Sequence, residues 1–73
     1  MNFEEFLISI KFGLQRRYKI KQILTNDEGM RIDFKNGFCC GFNLSTLEEM
    51  NYEKGFTYLC DAIEKMYMEK LLA

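Results

Sequence analysis

Catalysis by side chains needs a nucleophile beside a base, or carboxylates held away from their ordinary pKa. The chain has 73 residues with no histidine, three cysteines and no Cys-x-x-Cys spacing, so a zinc site would lack both ligands and geometry. Cys39 and Cys40 are neighbours that point to opposite sides of a strand, and Cys60 falls in a helical pattern. Cys39, facing outward beside Lys and Arg neighbours, is the one candidate for a reactive thiolate and for redox chemistry. Otherwise the three thiols read as reduced, small apolar side chains. Glu4-Glu5 and Glu48-Glu49 pair acids at helix starts, where the macrodipole favours them for stability alone. The stretch Gly37-Phe38-Cys39-Cys40-Gly41 reads as a strand, without the following helix that a glycine-rich phosphate loop requires. The expectation is a protein that is not an enzyme and uses no cofactor or metal.

The basic residues carry more. The net charge is −1, but residues 1–10 carry −2, residues 11–44 carry +4 and residues 45–73 carry −3. On the strand register derived below, Lys19, Lys21, Ile23, Arg31, Asp33, Lys35, Cys39, Gly41 and Asn43 face outward, with Arg16 and Arg17 near one rim. Arg16, Arg17, Lys19, Lys21, Arg31 and Lys35 are therefore the candidate partner-binding residues, a cationic face for an acidic surface. Lysines on a solvated face also guard sheet edges against unwanted pairing.

The elements that hold these residues follow from periodicity. Met30, Ile32 and Phe34 alternate with polar residues, and after Asn36-Gly37 the alternation resumes as Phe38, Cys40, Phe42 and Leu44. A two-residue turn would set the two apolar rows on opposite faces. A three-residue loop, Lys35-Asn36-Gly37, puts all seven on one face, with Gly37 in the left-handed region of a G1 bulge. For the preceding strand, a three-residue Asp27-Glu28-Gly29 loop turns Tyr18, Ile20 and Leu24 inward. A four-residue loop turns Lys19, Lys21 and Ile23 inward, and the cost of burying ammonium groups favours the former. Before the sheet, Asn2 and Glu5 have capping-box spacing, and Phe3, Phe6, Leu7 and Ile10 make a helical stripe. Gly13 reads as the residue that stops this helix, with Leu14 folding back on Ile8. After the sheet, Ser45 and Glu48 form a second capping box, and Phe56, Leu59, Cys60, Ile63, Met66 and Tyr67 a second stripe. The expected elements are a helix at about 3–12, strands at about 18–25, 30–35 and 38–44, a short helix at about 46–51 and a helix at about 53–71.

The predicted fold is therefore α+β: a small single domain spanning 1–73, in α-β-β-β-α order, a three-stranded antiparallel meander with helices on one face. No disulfide or metal staples so small a domain, so it must pack well or share surface with a second copy. Ile8 and Phe12 on the first helix, and Tyr58, Ala62 and Leu72 on the last, are left over once the core stripes are assigned. Ile8, Phe12, Tyr58 and Leu72 are the candidate contacts of a homodimer. No apolar run reaches the ~18 residues of a membrane span, and the start Met1-Asn2-Phe3-Glu4-Glu5 lacks a signal peptide's basic leader. The expectation is a cytoplasmic protein with no membrane partner.

The element order resembles that of the double-stranded RNA-binding domain. That family places a lysine cluster at the start of its last helix, where this chain has Glu48, Glu49 and Glu53 with only Lys54. The outer face also lacks aromatics for stacking single-stranded bases. In size and layout the chain also resembles small phage-encoded inhibitors, anti-CRISPR proteins among them. Its lack of valine and its two alanines, beside many Lys, Asn, Ile, Phe and Tyr, are usage typical of AT-rich genomes. The expected function is a non-catalytic protein-binding module. Its most plausible form is a phage or mobile-element inhibitor that occludes the acidic surface of a host protein. Nucleic-acid binding through the cationic sheet face is the alternative, and a thiol-based redox role through Cys39 a third.

Overall fold

The computed structural model describes residues 2–72, with side chains to residue 71. The chain runs as α1 (Phe3–Arg17), β1 (Ile20–Thr25), β2 (Gly29–Phe34), β3 (Cys39–Asn43), α2 (Leu44–Glu48) and α3 (Tyr52–Leu72). The three strands form one antiparallel sheet in the order β1-β2-β3. The α+β order and the meander are those the periodicity predicts.

Asn2 caps α1 as its spacing requires, its Oδ1 accepting from the Glu5 N–H at 2.8 Å. The helix does not stop at Gly13, however. It continues to Arg17, because Leu14 extends the stripe Phe6–Ile10–Leu14 by one more four-residue step and is itself 0% exposed. Gly13 serves a different purpose. A Cβ there would lie 2.7 Å from Tyr52 Oη and 2.8 Å from a Phe56 ring carbon, and one on Gly55 would lie 2.7 Å from Phe6 Cζ. Each glycine is a notch for an aromatic ring of the other helix, which is how α1 and α3 come together.

The β2–β3 hairpin follows the expected three-residue loop. Met30 pairs with Phe42 and Ile32 with Cys40, the Phe34 N–H donates to Phe38 O at 2.8 Å, and Gly37 has φ +92°. All seven apolar residues of this hairpin, Met30 to Leu44, are buried.

The β1–β2 register differs from the expectation. Thr25 pairs with Met30 and Ile23 with Ile32, the four-residue alternative. Asn26 stabilises that turn, its N–H donating to Gly29 O while its Oδ1 accepts from the Glu28 and Gly29 N–H groups. The register then shifts between Ile20 and Gln22, so that Ile20 pairs with Phe34. This bulge reverses the side-chain alternation at Lys21, turning Ile20 and Ile23 both inward and leaving Lys19 and Lys21 exposed. Leu24, expected in the core, is 51% exposed, and Ile23, expected outside, is packed against the core.

The second capping box is also absent. The short helix α2 starts directly from β3 at Leu44, capped at Asn43 without a side-chain bond, and the Leu44 N–H donates to Glu28 O at 2.9 Å. That bond ties the helix to the β1–β2 turn. Leu44 and Leu47 are buried in the core. Asn51, at the break expected between the last two helices, caps α3 by accepting from the Lys54 N–H at 2.9 Å. Among the described residues, no helix is long and apolar enough to cross a membrane.

Candidate partner-binding site

The six basic residues singled out from sequence do not form one face. Arg31 is engaged: its Nε donates to Asp33 Oδ1 at 2.8 Å, and Gln22 Nε2 donates to Asp33 Oδ2 at 2.7 Å. These two bonds, Gln22 first and Arg31 second, hold the Asp33 carboxyl below its ordinary pKa. The centre of the outer sheet face is thus a hydrogen-bonded, charge-neutral cluster. Arg17 is also engaged, with Nη2 3.4 Å from Glu64 Oε1 and its guanidinium over the Tyr18 ring. Arg16 leaves the sheet altogether and lines a hollow with Ile8, Ser9, Phe12, Gly13 and Tyr52.

Lys19, Lys21 and Lys35 remain. None makes an ion pair among the described residues, and all three lie at the end of the sheet where β1 begins. The Lys35 N–H donates to Lys19 O at 3.0 Å, which sets these two lysines side by side across the strands.

Beneath them lies a groove of about 740 Å³ between the sheet end and α3, lined by Tyr18, Lys19, Phe34, Lys35, Phe38, Ile63, Tyr67 and Met68 among others. Four of its rings touch in sequence. Tyr18 stands edge-on to Phe34 (centroids 6.0 Å apart), Phe34 tilts against Phe38 (5.4 Å), and Phe38 meets Tyr67 edge-on (5.3 Å). Lys70 Nζ lies 5.5 Å from the Phe38 centroid. The Tyr18 hydroxyl is buried with no hydrogen-bond partner among the described residues, beside the Cys60 thiol. Burial first, and Cys60 second, push its pKa up to about 12. The sequence marks the groove only indirectly. The three-residue loop that turns Phe38 inward also carries it to the sheet end, and Tyr67 sits on the inward stripe of α3, but nothing local says that α3 stands away from the sheet there.

The cysteines are dispersed. Cys39 is exposed on the outer face, Cys40 and Cys60 are buried, and all three are free. Burial raises the Cys40 thiol to about 11, away from reactivity. Among the described residues no three Cys, Asp or Glu side chains gather as metal ligands would.

Of the candidate dimer residues, Ile8 and Phe12 line one hollow and Tyr58 another. Ile8 and Phe12 are 60% and 63% exposed on α1. Tyr58 leans edge-on against Phe42 of its own core and shares its hollow with Glu53, Lys54, Thr57 and Asp61. Ala62 is partly buried against the core, and the side chain of Leu72 lies outside the described residues. In comparison with known proteins, no family model, no curated protein and no solved structure matches the chain.

Proposed function

We propose that this protein is a non-catalytic binding module that docks the lysine end of its sheet on an acidic surface of another protein. The observation that carries the reading is the set Lys19, Lys21 and Lys35, free of ion pairs among the described residues and gathered at one end of the sheet, with Lys19 and Lys35 bordering an apolar groove. Solvated lysines are ordinary, but three unpaired ones beside exposed apolar surface have the composition of an interface rim. A small, well-packed domain of this kind acts by covering what it binds. In size and layout it suits an inhibitor of phage or mobile-element origin that occludes a host protein.

Nucleic acid is the weaker reading. Asp33 sits at the middle of the outer face, close to where a phosphate backbone crossing that face would pass, and Arg31 is committed to it. The test pairs two measurements. Lys19→Glu with Lys21→Glu abolishes capture of the protein partner, while Glu53→Lys with Glu69→Lys leaves it intact. Labelled DNA and RNA across a salt series show no affinity that falls steeply with salt. Loss of capture only with the helical pair would move the interface to the acidic helices. Steep, salt-dependent nucleic-acid binding would overturn the protein-partner reading.

Exposed Ile8 and Phe12 support a second copy on α1 as a separate element of this proposal. Light scattering decides it: a mass near twice 8.7 kDa that Phe12→Glu returns to 8.7 kDa is the expected result. A single mass of 8.7 kDa at micromolar protein removes the dimer.

A further inference from the structure

We infer that the groove between the sheet end and α3 is an anchor pocket for one aromatic side chain presented by an acidic peptide segment of the partner. The inference rests on the lysine end being the docking surface and adds what that surface recognises. Its volume of about 740 Å³ is ample for an indole or phenol ring, and its walls are the rings of Tyr18, Phe34, Phe38 and Tyr67 with Met68 at the mouth. Aromatic rings favour edge-to-face and offset contacts with a further ring, and a methionine thioether adapts to the edge of one. Met68 is 55% exposed. Interfaces concentrate their affinity in such apolar recesses, filled by aromatic anchors and rimmed by polar groups that exclude water.

The rim fixes the charge of the flanking residues. Among the described residues Lys19 and Lys35 border the groove without ion pairs, and Lys70 reaches over Phe38. The lining carboxylate, Glu64, is occupied by Arg17. A segment that places its aromatic ring in the groove therefore meets uncompensated positive charge on either side, and acidic flanking residues complement it. A basic segment would meet like charge at the same positions. Specificity then comes from the ring and the carboxylates together.

The chain contains no tryptophan, so the emission of a tryptophan peptide reports binding without background. The probe is the peptide acetyl-Asp-Glu-Trp-Glu-Asp-amide. Titration with the full chain gives a saturable blue shift, and in the unmodified protein the methyl resonance of Met68 moves with the same midpoint. Met68→Asp, and separately Lys19→Glu with Lys35→Glu, each weaken binding about tenfold or more. The alanine analogue of the peptide competes at least about tenfold more weakly than the tryptophan form. No blue shift up to about 1 mM protein overturns the inference. If the alanine analogue competes equally and Met68→Asp has no effect, the pocket is overturned while the lysine docking surface stands. If the lysine reversals have no effect and a lysine-flanked tryptophan peptide binds as well, the acidic partner is overturned, and the docking reading with it.

Discussion

The two hairpins of this sheet share β2, yet one follows directly from its residues and the other does not. In β2–β3 the turn residue is a glycine at φ +92°, and the alternation runs unbroken from Met30 to Leu44, so one loop length satisfies every apolar side chain. In β1–β2 no unbroken register does so, because Ile20 and Ile23 are three residues apart and both pack inward. The lysines that argued against the four-residue turn are indeed exposed. A bulge at Lys21 brings that about while the turn-end register stays. The difference teaches that a charge argument decides where side chains go but not which backbone takes them there. A bulge satisfies the same burial preferences as a change of turn, and the stronger twist it adds bends the start of β1. That bend lies where the lysines and the groove are found.

The largest expected effects test this contrast directly. Ile32→Ala, in the central strand and paired with both neighbours, is expected to cost about 2–5 kcal/mol, comparable to the whole stability of a small domain. On β1, Ile23→Ala is expected to cost about 1–2 kcal/mol for its partial burial, and Leu24→Ala less than about 0.5 kcal/mol. Urea denaturation of the three variants ranks them. A Leu24→Ala cost above that of Ile23→Ala would break the bulged register and return Leu24 to the core.

Turn chemistry gives the next size of effect. Gly37→Ala forces a side chain into the left-handed region and is expected to cost about 1–2 kcal/mol. Gly41→Ala, on the outer face of the same hairpin, meets only Met30 O at an ordinary 3.7 Å. There the gain in strand propensity is expected to leave stability unchanged or raise it by up to about 1 kcal/mol. Thermal melts of the pair check the sign. Equal losses at both positions would mean that Gly37 is not held at positive φ by the loop.

What was legible in the residues has one physical property in common: it is decided within a few positions. Asn2 caps α1 because the donor it needs is three residues away. The β2–β3 loop is set by Gly37 and the seven apolar residues around it. What was not legible depends on partners far along the chain. Gly13 looks like a helix stop until Tyr52 and Phe56 are placed against it. Ser45 looks like a cap until Leu44 is tied to Glu28 across the sheet. The candidate site divides in the same way. The excess of cations in residues 11–44 is a property of the sequence, but which of them are free depends on Gln22, Asp33 and Glu64. Those contacts join β1 to β2 and α1 to α3.

Asp33 is where the two hairpins meet on the outer face, and it carries the smallest of the expected effects. Its carboxylate accepts from Gln22 on β1 and from Arg31 on β2, and its cross-strand partner on β3 is Cys39. Both bonds favour the ionised form, so its folded pKa lies below the unfolded one. A carboxyl lowered in this way adds stability that is present above its unfolded pKa of about 3.9 and is lost as pH falls through the lower folded value. Asp33→Asn therefore melts below the parent at pH 6, and the gap narrows as pH is lowered below about 4. The Asp33 side chain is only 15% exposed, but its partner Arg31 is open to solvent, so the gap is small and shrinks further in salt. Asp33→Asn also frees Arg31 and makes the outer face more positive. It is expected to tighten binding to an acidic partner even as it loosens the sheet. A gap in melting temperature that persists unchanged to pH 2 would mean that Asp33 acts through packing rather than charge. The two hairpins would then be joined only through their shared strand.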